Sequence, residues 1–326
     1  MDHTPPGRFK TVEAFRDRWR ELDPAMLLDC DLSIEADGPL STPFEVNSPD
    51  GSVRKIGNRF AVHPMEGWDA TPEGGPSEDT LRRWRRFGES GAKLIWGGEA
   101  YAVQPDGRAN PNQLHLNPDP KVDDAGNLAR LLETLKDGHR EHHQTLDDLV
   151  VGLQLTHSGR FSRPEGTRMT PRIAELNPVL SAKYGLDASV HILTDGELRR
   201  ISDHMVKAAC LAADVGFDFV DVKCCHGYLL HELLGAHTRR GDYGGSFENR
   251  TRLFRDTVRA IQTERPSLMI GCRVSITDTY PMFRRDGDAI GYPKGVEENT
   301  PWRHGFGINA MDRLDIFLIC LHGMMG

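Results

Sequence analysis

The sequence has no apolar run approaching the roughly 20 residues that a membrane-spanning helix needs. Its most apolar window, residues 314–321, is far too short. The opening Met-Asp-His-Thr-Pro-Pro also lacks the apolar core of a secretory signal peptide. These absences argue against a membrane protein and against secretion, so we expect a cytoplasmic location.

An excess of positive charge is missing too. The formal net charge is -8, which gives no electrostatic support for a nucleic-acid partner. The six cysteines include no Cys-x-x-Cys pair, and only Cys224 and Cys225 are adjacent. Because adjacent cysteines rarely ligate one metal or bridge each other, we expect buried free thiols. The 38% of apolar and 27% of charged residues indicate a soluble globular protein.

The first 56 residues form an N-terminal extension in this interpretation. Residues 11–22 place apolar side chains on one side of a predicted helix. Two short extended stretches, 44–46 and 53–56, flank a Ser-Pro-Asp-Gly turn and predict a hairpin.

From residue 60 onward, strand-like and helix-like stretches alternate. Buried strands are predicted at 60–63, 93–96, 150–155, 219–222 and 269–274. Helices are predicted between them at 77–89, 127–144, 194–215 and 247–263. This alternation indicates an α/β protein with a parallel sheet, which a doubly wound sheet and a barrel both satisfy. The first strand is not followed by Gly-x-Gly-x-x-Gly, which argues against a dinucleotide-binding fold.

The predicted strand ends are rich in polar residues, and these ends carry the active site in a barrel. The residues singled out there are His63, Pro64, Met65, Glu99, Ala100, Gln154, His157, Arg160, Lys223, His226, Tyr228 and Arg273. Each alone is weak evidence, since a histidine at a strand end is more often structural than a ligand. A zinc triad of His63, His157 and His226 is an alternative, but the carboxylates of a metal hydrolase are sparse nearby. We therefore predict no metal site.

A long motif at residues 239–250, Arg-Arg-Gly-Asp-Tyr-Gly-Gly-Ser-Phe-Glu-Asn-Arg, resembles the signature of one family. This is the Old Yellow Enzyme / NADH:flavin oxidoreductase family, and the 2,4-dienoyl-CoA reductase-like branch is included. Matching motifs lie in order at residues 57–65, 154–160 and 226–230, and the resemblance extends from residue 57 to 275. It implies a TIM-type (β/α)8 barrel.

The resemblance implies FMN across the top of the barrel. Backbone groups of Pro64 and Met65 would touch the isoalloxazine, and Ala100 and Gln154 would contact its pyrimidine side. Arg273 would lie near flavin N1, where a fixed guanidinium stabilises the anionic reduced ring.

The resemblance also implies hydride transfer from NADH or NADPH, through flavin, to an activated C=C bond of a small unsaturated carbonyl compound. Lys223 and His226 would stabilise charge on the carbonyl oxygen, and Tyr228 would protonate the substrate. Lys223 departs from the family's commoner histidine, and Cys224 and Cys225 replace small residues. These departures leave open whether the chain is an ene-reductase, a dienoyl reductase or a relative of amine dehydrogenases. A homo-oligomer fits the family as well. No cysteine-rich stretch suggests an iron–sulfur cluster.

The strand count predicts an incomplete barrel. After the fifth strand ends at Val274, 52 residues remain (326 minus 274). Three further strand–helix units would need about 90 residues. We therefore expect about five of eight strands, with a partial FMN-binding barrel at 57–310 and an aberrant tail at 311–326. The phosphate-binding loops after strands seven and eight cannot be assigned. The alternative function is an inactive truncated remnant or interaction fragment that cannot hold FMN alone.

Overall fold

The computed structural model describes residues 5–22, 38–143, 145–166, 168–275, 282–283 and 292–293. The predicted tail at 311–326 lies outside these residues. The chain divides into two compact units, Met1–Thr42 and Pro43–Gly326. No helix in the described part is long and apolar enough to cross a membrane.

The secondary structure follows the predicted alternation. The helices are α1 (Val12–Leu22), α2 (Glu78–Glu89), α3 (Asp124–His143), α4 (Pro178–Tyr184), α5 (Asp195–Val215), α6 (Leu229–Leu234), α7 (Phe247–Arg250) and α8 (Arg252–Glu264). The strands are β1 (Phe44–Asn47), β2 (Val53–Ile56), β3 (Ala61–Val62), β4 (Leu94–Ile95), β5 (Ala100–Ala102), β6 (Val150–Thr156), β7 (Arg172–Ile173), β8 (His191–Ile192), β9 (Phe219–Val222), β10 (Met269–Gly271), β11 (Met282–Phe283) and β12 (Tyr292–Pro293). Short 3₁₀ helices lie at Pro6–Arg8, Pro105–Gly107 and Gly159–Phe161.

The central sheet decides between the two architectures that the sequence left open. Its strands run in the order β3-β4-β6-β9-β10, all parallel, and β5 pairs with β6 as well. This order follows the chain without the reversal of a doubly wound sheet. Helix α2 packs on α3, α3 on α5 and α5 on α8. These four long helices therefore follow one another in chain order within one layer. Sequential parallel strands with one helical layer are the arrangement of a (β/α)8 barrel, and five of its strands lie in the described residues.

Local sequence signals define the helices around this sheet. Helix α5 begins at a capping box, in which Thr194 Oγ1 accepts from Glu197 N at 3.2 Å and Glu197 Oε2 accepts from Thr194 N at 2.8 Å. It ends at Gly216, whose φ of +94° suits glycine. Ser77 caps α2, where its side chain accepts from Thr80 N. The predicted helix at 247–263 is instead two helices, α7 and α8, which meet at Thr251.

The predicted hairpin is confirmed and lies against the sheet. Strands β1 and β2 pair antiparallel, and Ile56 packs with Val150 and Phe219. Both partners lie near the beginnings of β6 and β9, so the hairpin covers the N-terminal end of the strands. An apolar cavity of about 310 Å³ lies between them. The opposite, C-terminal end of the sheet therefore carries the polar residues that the sequence singled out.

Candidate functional site

A buried carboxylate joins four strand ends at the C-terminal end of the sheet. Asp221 on β9 accepts from Gln154 Nε2 at 2.6 Å, Trp96 Nε1 at 2.9 Å and Arg273 N at 2.8 Å. Burial raises the pKa of Asp221, although these hydrogen bonds act to lower it. The sequence prediction missed Asp221, and its only signal was one carboxylate among the apolar residues of β9.

Asp221 fixes the amide of Gln154 and leaves its other end unsatisfied. Gln154 is fully buried, and its Oε1 has no hydrogen-bond partner among the described residues. A buried acceptor without a donor costs about 1–3 kcal/mol, so this oxygen is suited to a ligand N–H. Arg273, on the neighbouring strand end, makes no ion pair within the described part of the chain. Within the described residues, Gln154 Oε1 has no donor and Arg273 has no carboxylate partner. A hydrogen-bond acceptor and a cation are the two groups that the pyrimidine edge of a flavin needs, because the reduced ring is anionic at N1.

The residues predicted to touch the flavin ring lie around Gly97. Gly97 has a φ of +96°, and a Cβ there would lie 2.8 Å from Gln154 N and 3.3 Å from Pro64 Cβ. Glycine therefore lets the ends of the first and third barrel strands approach each other. Met65 is 65% exposed, and its carbonyl accepts from Ala100 N at 3.1 Å. The Ala100 carbonyl accepts from Gln113 Nε2 at 2.5 Å, so both backbone groups of Ala100 have protein partners.

An ion-pair network fixes the loop that follows β3. Glu99 is fully buried, and its Oε1 accepts from Gly67 N at 2.6 Å. Arg83 on α2 binds Glu99 at 2.6 Å and Asp69 at 2.8 Å. The loop carrying Met65 and Glu66 is thus held at the backbone of Gly67 and at the side chain of Asp69. Glu99 stands at a predicted strand end, but no sequence pattern indicates this role.

Lys223 and Tyr228, two predicted catalytic residues, meet a carboxylate that the sequence analysis missed. Lys223 is 3% exposed and its Nζ donates to Glu66. The same Nζ lies 3.8 Å from the centroid of the Tyr228 ring, a cation–π contact. The Glu66 carboxylate acts on the Tyr228 hydroxyl as well, since its negative charge contributes to raising the pKa of Tyr228. Glu66 directly follows Met65, and no sequence motif marked it as a partner of Lys223.

The electrostatics of this cluster favour an ionised Glu66 and a neutral Tyr228. Burial acts to raise the pKa of Glu66, but the charge of Lys223 and the hydrogen bond from its ammonium outweigh it, so the pKa lies below its usual value. Burial and the neighbouring Glu66 carboxylate raise the pKa of Tyr228 far above its usual value. At neutral pH the cluster therefore holds one negative and one positive charge.

His226, three residues after Lys223, has a strained backbone conformation. It is exposed, and its φ of +63° makes it the one non-glycine residue with positive φ among those described. Such strain costs about 1–3 kcal/mol and is found most often at functional sites. Burial, Lys223 and Arg273 lower the pKa of His226, which favours the neutral imidazole at pH 7. Its predicted role as a hydrogen-bond donor remains a prediction.

The alternative zinc triad receives no geometric support. His157 is buried and its Nδ1 accepts from Gly159 N at 3.1 Å, whereas His63 is exposed. Within the described ranges, no group of three or more His, Cys, Asp or Glu side chains could hold a metal ion. Cys224 and Cys225 are buried free thiols, as predicted.

Comparisons with solved structures agree with the sheet order. The old yellow enzyme of Trypanosoma cruzi is 22% identical and superposes with a TM-score of 0.55, covering 74% of this chain and 66% of that one. The Old Yellow Enzyme of Pichia sp. AKU4542 is 20% identical, with a TM-score of 0.53 over 73% of this chain and 60% of that one. These likenesses confirm the barrel fold.

Sequence comparison establishes the family. The NADPH dehydrogenase of Bacillus velezensis is 27% identical over 264 residues, which are 79% of this chain and 70% of that protein. The chain spans 66% of the length of a second NADPH dehydrogenase, from a Geobacillus species. The profile of the NADH:flavin oxidoreductase / NADH oxidase family matches residues 40–290. The order of the strands, the residues at their ends and this match together place the chain in the NADH:flavin oxidoreductase / NADH oxidase family.

Proposed function

We propose that this chain forms the ring-binding part of an FMN site and transfers hydride from NADH or NADPH to the activated C=C bond of a small unsaturated carbonyl compound. The observation that carries this proposal is Gln154 Oε1, a buried acceptor that has no donor among the described residues. Asp221, which fixes the Gln154 amide, also accepts from the backbone N–H of Arg273, so the two residues lie on neighbouring strand ends. Family membership supplies the cofactor class.

The chain's own residues would bind and orient the reactants. Gln154 would accept from the ring N–H, with its amide held by Asp221, and Arg273 would balance negative charge at the pyrimidine edge. When bound, FMN supplies the hydride chemistry. His226, neutral at pH 7, would donate to the substrate carbonyl, and Tyr228 is the candidate proton donor.

Two substrate types remain within this proposal, an isolated enone and a 2,4-dienoyl thioester. The neutral imidazole of His226 can donate to either carbonyl oxygen. Steady-state turnover of 2-cyclohexen-1-one against a 2,4-dienoyl thioester assigns the type. A preference of at least about tenfold in kcat/KM identifies the physiological class.

The test is purification of the chain followed by addition of FMN. We expect a flavin absorbance band that stays with the protein, and NAD(P)H oxidation that depends on an α,β-unsaturated ketone. Gln154→Leu removes the amide and is expected to weaken FMN binding, whereas the control Gln262→Leu removes an amide on helix α8, outside the proposed site. Equal FMN affinity in both variants would contradict the role of Gln154.

The second candidate is a non-catalytic remnant or interaction fragment. One observation favours it: β3 and β10 each have a sheet neighbour on one side only, within the described residues. Unpaired strand edges tend to recruit another chain. A protein that binds no added FMN and elutes as an oligomer would support this candidate. Location and oligomeric state stay predictions.

A further inference from the structure

We propose that Glu66 determines the charge specificity of the site: its carboxylate cancels the charge of Lys223, whose ammonium lies against the Tyr228 ring, so that the site prefers uncharged ligands to anionic ones. The assignment of this pocket as the substrate side rests on the proposed function. The charge arrangement itself rests on contacts between described side chains.

The position of Glu66 is fixed by the loop that carries it. The next residue, Gly67, donates its N–H to the buried Glu99 at 2.6 Å, and Glu99 is held by Arg83. The Glu66 side chain is 23% exposed, while that of Lys223 is 3% exposed. Because its backbone is fixed and its carboxylate is mostly buried, Glu66 has a defined position in the site, unlike a side chain in an exposed surface ion pair.

The contacts of Lys223 leave little of its charge available to a ligand. Its Nζ donates to Glu66 on one side and lies over the Tyr228 ring, 3.8 Å from the centroid, on another. An anionic ligand reaching Lys223 would therefore compete with a carboxylate already in place. A neutral carbonyl oxygen meets no such repulsion, since the Glu66–Lys223 pair carries no net charge.

Glu66 also acts on Tyr228 through its charge. The Lys223 ammonium that Glu66 binds lies over the Tyr228 ring, and the Glu66 carboxylate opposes ionisation of the Tyr228 hydroxyl. Replacing the carboxylate by an amide keeps the shape but removes the negative charge that opposes tyrosinate.

The first experiment compares two ligands of matched shape, benzoate and benzamide, by equilibrium binding to the FMN-reconstituted protein. In Glu66→Gln the charge of Lys223 is uncompensated. At an effective dielectric of about 20, a unit charge a few ångströms away should shift the benzoate-to-benzamide affinity ratio by about tenfold or more toward benzoate. The control Glu73→Gln changes the net charge equally at an exposed position and should leave the ratio unchanged.

A double variant tests whether Glu66 acts by neutralising Lys223 or only by changing the net charge of the protein. Lys223→Met alone should shift the ratio away from benzoate, and Glu66→Gln/Lys223→Met should return it to within about threefold of the wild-type value, because the pocket is again neutral. An unchanged ratio in Glu66→Gln, or a double variant whose shift equals that of Glu66→Gln alone, would overturn the proposal.

The second measurement needs neither flavin nor ligand. Tyr228 ionisation is followed by ¹³C-tyrosine NMR and assigned with Tyr228→Phe. We expect wild-type Tyr228 to stay un-ionised up to about pH 11, and Tyr228 in Glu66→Gln to begin ionising below that pH because the opposing charge is gone. Identical behaviour of the two proteins would overturn the charge coupling between Glu66 and Tyr228. If these shifts occur but the wild type shows no flavin-dependent turnover, the proposed function fails and the role of Glu66 stands.

Discussion

Asp221 gives the sharpest test of how the strand ends are held together. Its two oxygens accept three hydrogen bonds, from Trp96, Gln154 and the backbone of Arg273. Replacing Asp221 by Leu leaves one buried donor, Gln154 Nε2, and two partly buried donors without an acceptor. An unsatisfied buried donor costs about 1–3 kcal/mol and a partly buried one costs less, so the gross loss is at most about 9 kcal/mol.

Relief of an unfavourable burial offsets part of this loss. Burial raises the pKa of Asp221, which means that the folded protein disfavours its charged form. We therefore expect Asp221→Leu to lower the free energy of unfolding by about 3 kcal/mol. Asp221→Asn keeps one acceptor oxygen and should cost about 1–2 kcal/mol.

Urea denaturation followed by tryptophan fluorescence measures both changes. The matched control is Asp256→Asn, which removes an exposed ion pair with Arg259 at 3.5 Å and should cost at most about 0.5 kcal/mol. If Asp221→Leu costs no more than this control, Asp221 is not the common acceptor that the structure shows.

Three further predictions concern the scaffold around the site. Gly88→Ala should destabilise the protein by about 2 kcal/mol or more in thermal unfolding, because the new Cβ would lie 2.0 Å from the Leu135 carbonyl oxygen; full tolerance would contradict the close packing of α2 on α3. Glu232→Leu should cost about 3–5 kcal/mol in urea, since it leaves the fully buried Arg160 without its carboxylate, and a cost below about 1 kcal/mol would refute that pairing. Burial lowers the pKa of His157 to about 4, so the unfolded chain binds a proton that the folded one does not, and stability should fall as the pH drops from 6.5 toward 4. His157→Gln should reduce that slope by about one proton, and an unchanged slope would contradict the neutral buried imidazole.

The sequence predicted those parts of the fold that depend on local periodicity. All five barrel strands, the hairpin and the positions of α2 and α5 agree with the structure. Periodicity could not choose between a barrel and a doubly wound sheet, because both need the same apolar strands. The family resemblance supplied the barrel, and the strand order confirmed it.

The sequence predicts the site residues that belong to local motifs, but not those whose role depends on contacts between distant parts of the chain. Gln154, Lys223 and Arg273 stand out as polar residues at strand ends. Glu66 and Asp221 act through partners 157 and 67 residues away in sequence, and no local pattern encodes such pairs. Lys223, which the sequence predicts as a donor to the substrate, is therefore found in an ion pair with Glu66 that the sequence could not indicate.

The central claim is that Gln154 and Arg273 form a site for the flavin ring, and lumiflavin, which has the ring without the phosphate, tests it directly. Fluorescence titration of the protein with lumiflavin should give saturable binding that weakens by at least about fivefold in Gln154→Leu, since the buried amide loses its hydrogen bond to the ring. Binding that is absent, or equally strong in Gln154→Leu and wild type, would contradict the claim.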